Sequence, residues 1–513
     1  MSSGSFAAAW AVLPDYLGQH VLLSISALVL GVTISMPLAI VAAHARRLRE
    51  PLLAFASIVQ TIPGLALLAL FYPILLGISA ATVQAFGMRV PALGFLPVLL
   101  ALTLYSMLPI LRNTIAALTG LDEAVTIAAR AVGMTTWQSL RIVELPLAAP
   151  VIMAGIRVAA VWVIGTATLS TPVGQTSLGN YIFTGLQTEN WIFVIFGCVV
   201  AGALALVIDR LLALAEWGFA RRSRIRLLAA FAGVALVIGA SIYPLSGSTR
   251  AQVVIGAKNF EEQYILGALM TGRLDKAGIP ASQRSNLGST IIFHALQAGD
   301  IDAYVDYSGT IWANHMHRTD NPGRAAVLAQ MAPWLKAHNI LYLGPLGFAN
   351  AYVLAMRRDR AQALGVHSLA DLAGHAPEMK IGGDYEFFSR PEWTSVLKAY
   401  GLHFAVQRSY QPTFMYRALN DGDVDVIAAF SSDGRIAQYN LILLADPKFA
   451  LPPYDAVLLV SAKQARNAKL IAALKPLVGK LDLSLMQRAN LMVDSDKRTP
   501  EDVARWLESR MEH

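Results

Sequence analysis

The stretch RRSRIRLLAAFAGVALVIGASIYPLSGSTRAQVVIGAKNF, from Arg221 to Phe260, joins two parts of the chain that differ in composition. A basic cluster, an apolar run and small polar residues follow one another, which is the order found in a secretory signal peptide. Signal peptides stand at N-termini, whereas this stretch begins at residue 221. What precedes it must therefore explain why a chain would be exported from its middle.

Composition separates the chain into a membrane part and a globular part. Of the 513 residues, 55% are hydrophobic and 15% charged, and the mean hydropathy is +0.50, which is too apolar for a soluble protein of this length. Long uncharged runs end near Leu245, and charged and apolar residues alternate thereafter. The net charge of +7 does not indicate nucleic-acid binding, because the arginines of the opening stretch lie beside an apolar span. Cys198 is the single cysteine, so no disulfide can form within one chain.

Six apolar runs are long enough to cross a bilayer, which takes roughly 20 residues in a helix. Basic residues follow the first and third runs, and the positive-inside rule assigns those loops to the cytoplasm. Five crossings then leave Arg221 in the cytoplasm, and a sixth carries everything after about Gly247 to the far side. The runs are residues 20–43, 52–78, 93–118, 147–169, 191–212 and 227–243.

These crossings predict three parts. Residues 1–219 form an all-α membrane domain with five spans, 220–250 form a sixth span and linker, and 251–513 form an extracytoplasmic domain. The segment PLSGSTRA, residues 244–251, offers small residues but no clean Ala-x-Ala cleavage site. We therefore expect the signal-like segment to be retained as a membrane anchor.

The longest predicted cytoplasmic loop reads LDEAVTIAARAVGMTTWQSLRIVELPLAAP, residues 121–150. Its pattern predicts a small-residue helix that Gly133 breaks, and a second short helix from Thr135 to Pro146, where proline opens the fourth span. Such a broken helix forms a compact knob suited to docking in a groove.

This loop resembles the coupling loop of ATP-binding-cassette (ABC) importer permeases, in which Glu-Ala-Ala, a glycine four residues on, and Ile-x-Leu-Pro recur. The spacing is kept, while Ile127 stands in place of the family's glutamate. The resemblance assigns the coupling loop to residues 121–146 and implies contact with an ATPase through Ala128, Ala129, Gly133, Leu145 and Pro146.

The resemblance also implies partner chains. Gly479 and Lys480 are the nearest approach to a phosphate-binding loop, but Leu481 replaces the required Ser or Thr. ATP and Mg²⁺ would therefore be bound by a separate ATPase subunit, and we expect no cofactor in this chain. Because one chain supplies one permease half, a homodimer with two ATPases is expected.

Two features of the spans have two interpretations each. Arg157 lies roughly 15 Å into the fourth span by helical rise, so it either lines the pathway, or it snorkels or pairs with a carbonyl near the cytoplasmic face. The segment Gln60-Thr61-Ile62-Pro63-Gly64 either marks the translocation path or merely kinks the second span.

After Gln252, short β-rich runs alternate with helical segments, which predicts an α/β domain. Two segments, ALQAGDIDAYVDYSGT from Ala295 and ALNDGDVDVIAAFSSD from Ala418, share Ala-Leu-x-x-Gly-Asp-x-Asp and align Tyr307 with Phe430. Each predicts a helix, a tight turn and a strand that ends in an aromatic residue, at the edge where open α/β sheets bind ligands. Two facing lobes would place one ring on each wall of a cleft, although the same unit recurs in α/β folds with its aromatic residue merely packed.

The exported part resembles the substrate-binding proteins for glycine betaine, choline, carnitine and related osmoprotectants, which are two-lobed α/β proteins of the periplasmic type II class. With the permease resemblance, nearly the whole chain corresponds to two normally separate proteins that are fused. The matching motifs are GAKNFEEQYIL (256–266), VDYSGT (305–310), FANAYVLAM (348–356), EFFSRPEW (386–393) and AAFSSDGRI (428–436).

The resemblance implies an aromatic cage for a quaternary ammonium ion. Such an ion has no N–H to donate, so a site holds it by placing its methyl groups against electron-rich rings. Phe430 stands where tyrosine is common in the family. Carried over by motif, the cage residues are Tyr307, Tyr352, Phe430 and Tyr454.

A ligand carboxylate at the other end would need hydrogen-bond donors. Arg390 can grip a carboxylate with two parallel hydrogen bonds. Lys258, Asn259 and Thr310 are the expected helpers. The histidines are scattered without a carboxylate-rich partner segment, so no metal site is expected, and no spacing supports a hydrolytic triad.

These observations predict an inner-membrane importer subunit with a tethered binding domain in the periplasm. Within this class, the histidine betaine ergothioneine is an alternative ligand, because its trimethylammonium and carboxylate groups suit the same cage. A membrane sensor that binds the solute without transport is an alternative of another class, which the coupling-loop resemblance disfavours. An enzyme is a more distant alternative.

Overall fold

The computed structural model describes residues 3–88, 90–188, 190–246 and 253–511, and the chain forms two compact units. One unit holds Ala9–Phe183 and Phe193–Ser248 and is helical. The other contains both β-sheets. The predicted linker and cleavage region at 247–251 lies outside the described residues.

Six helical segments of the N-terminal half are long and apolar enough to span a membrane, as predicted. The helices are α1 (Ser3–His44), α2 (Arg46–Thr61), α3 (Gly64–Phe86), α4 (Phe95–Thr119), α5 (Glu123–Ala131), α6 (Thr136–Gln138), α7 (Leu145–Ala167), α8 (Gly179–Gln187), α9 (Trp191–Ala220) and α10 (Arg224–Ser246). A π-helical turn (Ser139–Glu144) precedes α7 and a 3-10 turn (Thr168–Val173) follows it.

The second predicted span, 52–78, is wrong in its bounds, because the chain breaks between α2 and α3. Ile62 is extended, and Pro63, which has no N–H to donate, stands before Gly64. The hydroxyl of Tyr105 on α4 donates a hydrogen bond to the carbonyl of Ile62, which the break leaves without a helical partner. The interruption is therefore a break between two helices rather than a kink within one.

The predicted knob is present, and its second helix runs directly into α7. Asp122 caps α5 by accepting a hydrogen bond from the Ala124 N–H, and Gly133 adopts φ +80°. Thr135 and Gln138 then form a capping box that starts α6.

Arg157 pairs with carboxylates, which neither interpretation of it anticipated. Its Nε and Nη2 lie 2.6 and 3.1 Å from the two carboxylate oxygens of Asp209 on α9, and its Nη1 lies 3.3 Å from Glu216 Oε2. A two-pronged contact of this kind is the strong form of an arginine–carboxylate pair. The pair joins α7 to α9.

Replacing Arg157 with Met should leave the carboxylates of Asp209 and Glu216 without their cation. We expect a loss of about 1–3 kcal/mol of stability, seen as a lower thermal midpoint of the purified protein in detergent. The triple variant Arg157→Met/Asp209→Asn/Glu216→Gln removes the unpaired charges and should recover part of that loss. A single variant as stable as the wild type would contradict the pairing.

The C-terminal half folds into two lobes, each built on a five-stranded sheet. The first lobe contains β1 (Val253–Lys258), α11 (Glu261–Lys276), β2 (Ala281–Leu287), α12 (Ser289–Ala298), β3 (Ala303–Tyr307), α13 (Ser308–Thr310), α14 (Arg324–Ala337), β4 (Ile340–Ala349) and, after the second lobe, β10 (Asp455–Ser461), α21 (Ala468–Leu474), α22 (Leu483–Asp494) and α23 (Pro500–Met511). The second lobe contains β5 (Tyr352–Arg357), α15 (Arg358–Leu364), α16 (Leu369–Leu372), β6 (Lys380–Asp384), α17 (Tyr385–Ser389), α18 (Pro391–Tyr400), β7 (Val406–Tyr410), α19 (Pro412–Asn420), β8 (Val426–Phe430), α20 (Arg435–Gln438) and β9 (Leu441–Leu443).

The two sheets share one topology. Their strand orders are β2-β1-β3-β10-β4 and β7-β6-β8-β5-β9. In each, the first three strands in the order pair in parallel, and the fourth, β10 or β5, runs antiparallel to both of its neighbours, so four strands share one direction. The chain crosses to the second lobe near Asn350 and returns before Asp455, so two connections form the hinge. The predicted type II architecture is confirmed.

The internal repeat of the sequence corresponds to one structural unit in each lobe. Helix α12 leads through a turn into β3, and α19 leads through the equivalent turn into β8. The last Asp of each repeat, Asp302 or Asp425, accepts a hydrogen bond on its side chain from the backbone N–H of Val254 or Lys380 in the neighbouring parallel strand. The repeated aspartate therefore fixes the register of a parallel strand pair, and Tyr307 and Phe430 end β3 and β8 as predicted.

Candidate functional site

A cavity of about 230 Å³ lies at the strand ends of both sheets. Four of its lining residues, Lys258, Tyr307, Asp384 and Phe430, are the last residues of β1, β3, β6 and β8. This is the edge at which open α/β sheets bind ligands, and here both sheets contribute such an edge to the same cavity.

The four predicted cage residues all line this cavity. Tyr352 occupies the centre of the group: its ring centroid is 5.0 Å from that of Phe430 and 5.6 Å from that of Tyr454, the latter edge-to-face. Tyr307 lies across the cavity on the first lobe. The rings thus come from both lobes and from the hinge, and they present faces at mutually different angles.

Phe260 is a fifth ring that the sequence reasoning missed. Its centroid lies 6.0 Å from that of Phe430, nearly parallel to it, and 6.0 Å from that of Tyr307. It therefore bridges the rings of the two lobes. Its position directly after Asn259, in the motif GAKNF, was the available signal.

Arg390 is buried at the cavity wall and is largely occupied by protein partners. Its Nη2 lies 2.5 Å from Glu386 Oε1 and 3.4 Å from Thr310 Oγ1, and its Nη1 lies 3.3 Å from the Tyr454 hydroxyl. Only its Nε has no hydrogen-bond partner among the described residues. In this conformation both terminal nitrogens of Arg390 are held by protein partners, where the sequence interpretation expected a two-pronged contact with the ligand.

The other predicted polar residues also line the cavity. Lys258 is buried, and its Nζ lies 2.5 Å from Asp306 Oδ1 and 5.2 Å from the centre of the Tyr307 ring. Burial alone would raise the pKa of Asp306, but the charges of Lys258 and His315 hold it below its ordinary value. The ammonium group of Lys258 is thus neutralised by Asp306, whereas Asn259 is exposed.

Two acidic residues of the lining were not singled out from the sequence. Asp384 is buried; its Oδ1 accepts a hydrogen bond from the Phe387 N–H, and its side chain also interacts with Tyr352. Burial raises the pKa of Asp384. Glu386 accepts hydrogen bonds from Arg390 and, at 3.1 Å, from Ser289 of the first lobe.

The two lobes are closed on each other through buried charges. Arg435 of the second lobe pairs with its neighbour Asp433 and lies 3.4 Å from Glu261 and 3.7 Å from Asp494, both of the first lobe. Opening the lobes would leave Arg435 paired with Asp433 but would separate it from Glu261 and Asp494, so the contacts with these two carboxylates favour the closed arrangement.

The predicted coupling residues lie on the knob formed by α5, α6 and the start of α7. Gly133 and Ala128 are exposed, and Ala129 is buried beneath them. Apolar side chains of the knob face outward: Val132 is 73% exposed and Trp137 66% exposed. Leu145 and Pro146 begin α7, as predicted.

Within the described residues, no group of three or more His, Cys, Asp or Glu side chains is placed to hold a metal ion. A two-lobed type II domain with rings from both lobes around one cavity belongs to the class of solute-binding proteins. Here it follows six apolar helices in the same chain.

Comparison with known proteins places both halves. Residues 251–509 match the family described as the substrate binding domain of ABC-type glycine betaine transport systems, and residues 35–221 match the binding-protein-dependent transport system inner membrane component. The chain belongs to these families: it is a fusion of an ABC importer permease with a substrate-binding domain, and a transport protein rather than an enzyme.

Three relatives match different parts of the chain: one matches both halves, one matches the permease half and one matches the binding domain. The ergothioneine transport permease/ergothioneine binding protein EgtU of Helicobacter pylori is 28% identical over 503 residues, 94% of this chain and 87% of that protein. The permease protein OpuCB of the glycine betaine/carnitine/choline transport system of Bacillus subtilis is 38% identical over 39% of this chain and 84% of its own length. A glycine-betaine-binding protein of Pseudomonas aeruginosa is 30% identical over 50% of this chain and 88% of its own length.

Replacing Phe260 with Leu should weaken the binding of a small quaternary cation such as tetramethylammonium. One ring contributes about 0.5–2 kcal/mol to such an interaction, so the dissociation constant should rise by roughly 2- to 30-fold. Calorimetry of the full chain in detergent measures it. Phe404→Leu is the matched control, because Phe404 stacks on Trp393 in the second lobe away from the cavity. Equal effects of the two substitutions would remove Phe260 from the site.

Proposed function

We propose that this chain is the permease and solute-binding subunit of an ATP-driven importer for a quaternary-ammonium solute such as glycine betaine, choline or carnitine. The observation that carries the proposal is the convergence of five aromatic rings from both lobes on one cavity. Family membership of both halves supports the transport role.

Ring faces suit this ligand because a quaternary nitrogen cannot donate a hydrogen bond. Its charge is held by the negative faces of aromatic rings once its methyl groups are desolvated. At about 0.5–2 kcal/mol per ring, five rings account for much of the roughly 8 kcal/mol of a micromolar complex. Rings from both lobes contact the ligand together only when the domain is closed, so binding favours closure.

The other end of the ligand meets few donors. The terminal nitrogens of Arg390 are held by protein partners, and Asn259 is exposed at the cavity. A hydroxyl group, as in choline, needs less from such a site than a full carboxylate does. We therefore expect the charged nitrogen, rather than the carboxylate, to contribute most of the affinity.

Transport would be driven through the knob. Cytoplasmic ABC ATPase subunits, which bind ATP and Mg²⁺, would dock on the exposed surface around Gly133 and transmit their movement through α7. One chain supplies one permease half, so the working assembly is a homodimer with two ATPases. The helices lie in a bacterial inner membrane, with the binding domain in the periplasm.

Ergothioneine is the second candidate ligand. The H. pylori relative with that name matches across both halves of this chain. Ergothioneine carries a trimethylammonium group for the cage and ring N–H groups, and the carboxyl groups of Asp384 and Glu386 line the cavity. Calorimetry of the full chain against glycine betaine, choline, carnitine and ergothioneine separates the two candidates.

Uptake of the bound solute by cells that express the chain with its ATPase tests transport. Gly133→Asp should abolish uptake while leaving the binding affinity unchanged, because a charged side chain at the knob blocks docking. Gly87→Asp is the matched control, since Gly87 also has positive φ and open space around it but lies outside the knob.

Two results would contradict the proposal. Heat from none of the four ligands would exclude a quaternary-amine site. Binding without uptake in the wild type, together with indifference to Gly133→Asp, would instead favour a membrane sensor.

A further inference from the structure

Each tyrosine of the cage is associated at its phenol end with a carboxyl group. The Tyr307 hydroxyl donates a 2.5 Å hydrogen bond to Glu262 Oε1, and the Tyr454 hydroxyl donates one to Glu392 Oε1. The side chain of Tyr352 interacts with Asp384. Glu262 and Glu392 are both buried behind the rings, and the residues lining the cavity do not include them.

Glu262 is held by four neutral hydrogen-bond donors, and no cation pairs with it in the part of the chain that the structure describes. Besides Tyr307, it accepts hydrogen bonds from Ser432 at 2.5 Å, Asn490 at 3.1 Å and Asn350 at 3.2 Å. Four donors saturate the acceptor sites of an ionised carboxylate, and all four are neutral. Burial raises the pKa of Glu262, and these four hydrogen bonds oppose that rise.

Glu392 is less fully compensated by hydrogen bonds. Its Oε1 receives the Tyr454 hydroxyl and lies 3.5 Å from Arg390 Nη1, while its Oε2 is buried without a hydrogen-bond partner among the described residues. Arg390 is shared with Glu386, which lies closer to it. Glu392 therefore holds the Tyr454 hydroxyl through Oε1 and shares Arg390 with Glu386.

A phenol that donates to a carboxylate gains electron density on its ring. The ring face then attracts a cation more strongly, and the carboxylate adds its own attraction through a poorly screened interior. Neither effect acts on a neutral molecule of the same shape. Burial and the Glu262 charge raise the pKa of Tyr307 well above its ordinary value, so the phenol keeps the proton that it donates.

We propose that Glu262 and Glu392 are specificity-determining residues that act through Tyr307 and Tyr454, making the cage select a permanent cation over a neutral isostere. The proposal rests on the quaternary-ammonium function proposed above. Two residues outside the ligand cavity would then determine the preference for a charged ligand, and the rings would determine the preference for its shape.

The test compares ligands that differ only in charge. Choline and 3,3-dimethylbutan-1-ol have the same shape, as do glycine betaine and 3,3-dimethylbutanoate, with carbon in place of nitrogen. Affinities of the full-length protein in detergent are measured by calorimetry. Glu262→Gln should weaken binding of the quaternary member roughly tenfold and leave its carbon isostere within about twofold. Glu392→Gln should act in the same direction.

Two further variants separate charge from structure. Tyr307→Phe keeps the ring and the carboxylate but removes the hydrogen bond, and should lower the preference for charge by less than Glu262→Gln does. Glu508→Gln removes a carboxylate paired with Arg273 in the same lobe and should leave the preference unchanged.

The outcomes are distinct. Equal weakening of both members of a pair by Glu262→Gln and Glu392→Gln would reduce the two residues to a structural role, and unchanged affinities would show that the rings alone select charge. If Glu262→Gln does not fold, Glu392→Gln and Tyr307→Phe decide in the same way. A wild type that binds no quaternary amine would instead remove the proposed function.

Discussion

Five aromatic rings meet around one cavity because two sheets of the same topology present the carboxyl ends of their parallel strands to each other. No segment of the chain carries the cage by itself. Tyr307 and Phe430 stand at equivalent strand ends, and Tyr352 and Tyr454 lie where the chain crosses between the lobes. The group of five rings is consequently complete only when the lobes are closed, so the proposed ligand would be captured as the domain closes.

Buried polar contacts support that closure from behind the rings. Glu262 joins Tyr307 of the first lobe to Ser432 of the second, and Arg435 brings Asp433 together with two carboxylates of the first lobe. These hydrogen bonds and ion pairs between the lobes form only in the closed arrangement. Separating the lobes would leave the carboxylates of the first lobe without these partners unless water replaced them. In the proposed transport cycle, the lobes must open to release the solute at the permease. Free energy from the rest of the cycle is therefore needed to open this interface.

Much of the fold could be predicted from the sequence, because its helices and strands are marked by patterns within short segments. The repeated Ala-Leu-x-x-Gly-Asp-x-Asp predicted both helix–strand units, and apolar length predicted six membrane helices. The break at Pro63 was visible as a Pro-Gly interruption, but its outcome depends on Tyr105, a residue in another helix. Similarly, the pairing of Arg157 with Asp209 joins residues that no periodicity relates.

Some residues of the candidate site could likewise be predicted from short motifs, and others could not. Motif resemblance placed four rings and Arg390 at the cavity, whereas Phe260 was overlooked within a quoted motif. The contacts of Arg390 with Thr310 and Tyr454, and the carboxylates behind the tyrosines, could not be predicted, since these hydrogen bonds join residues 45 to 80 positions apart and leave no local pattern. The two-pronged grip expected of Arg390 is not free in this geometry, because protein partners hold both of its terminal nitrogens.

The most direct test of the central claim is an experimental structure of the full-length protein with its quaternary-ammonium ligand bound. The account predicts the quaternary nitrogen within about 6 Å of the ring centroids of Tyr307, Tyr352, Phe430 and Tyr454, with both lobes in contact with the ligand. A nitrogen held outside this group of rings, or a ligand bound to one lobe alone, would contradict it.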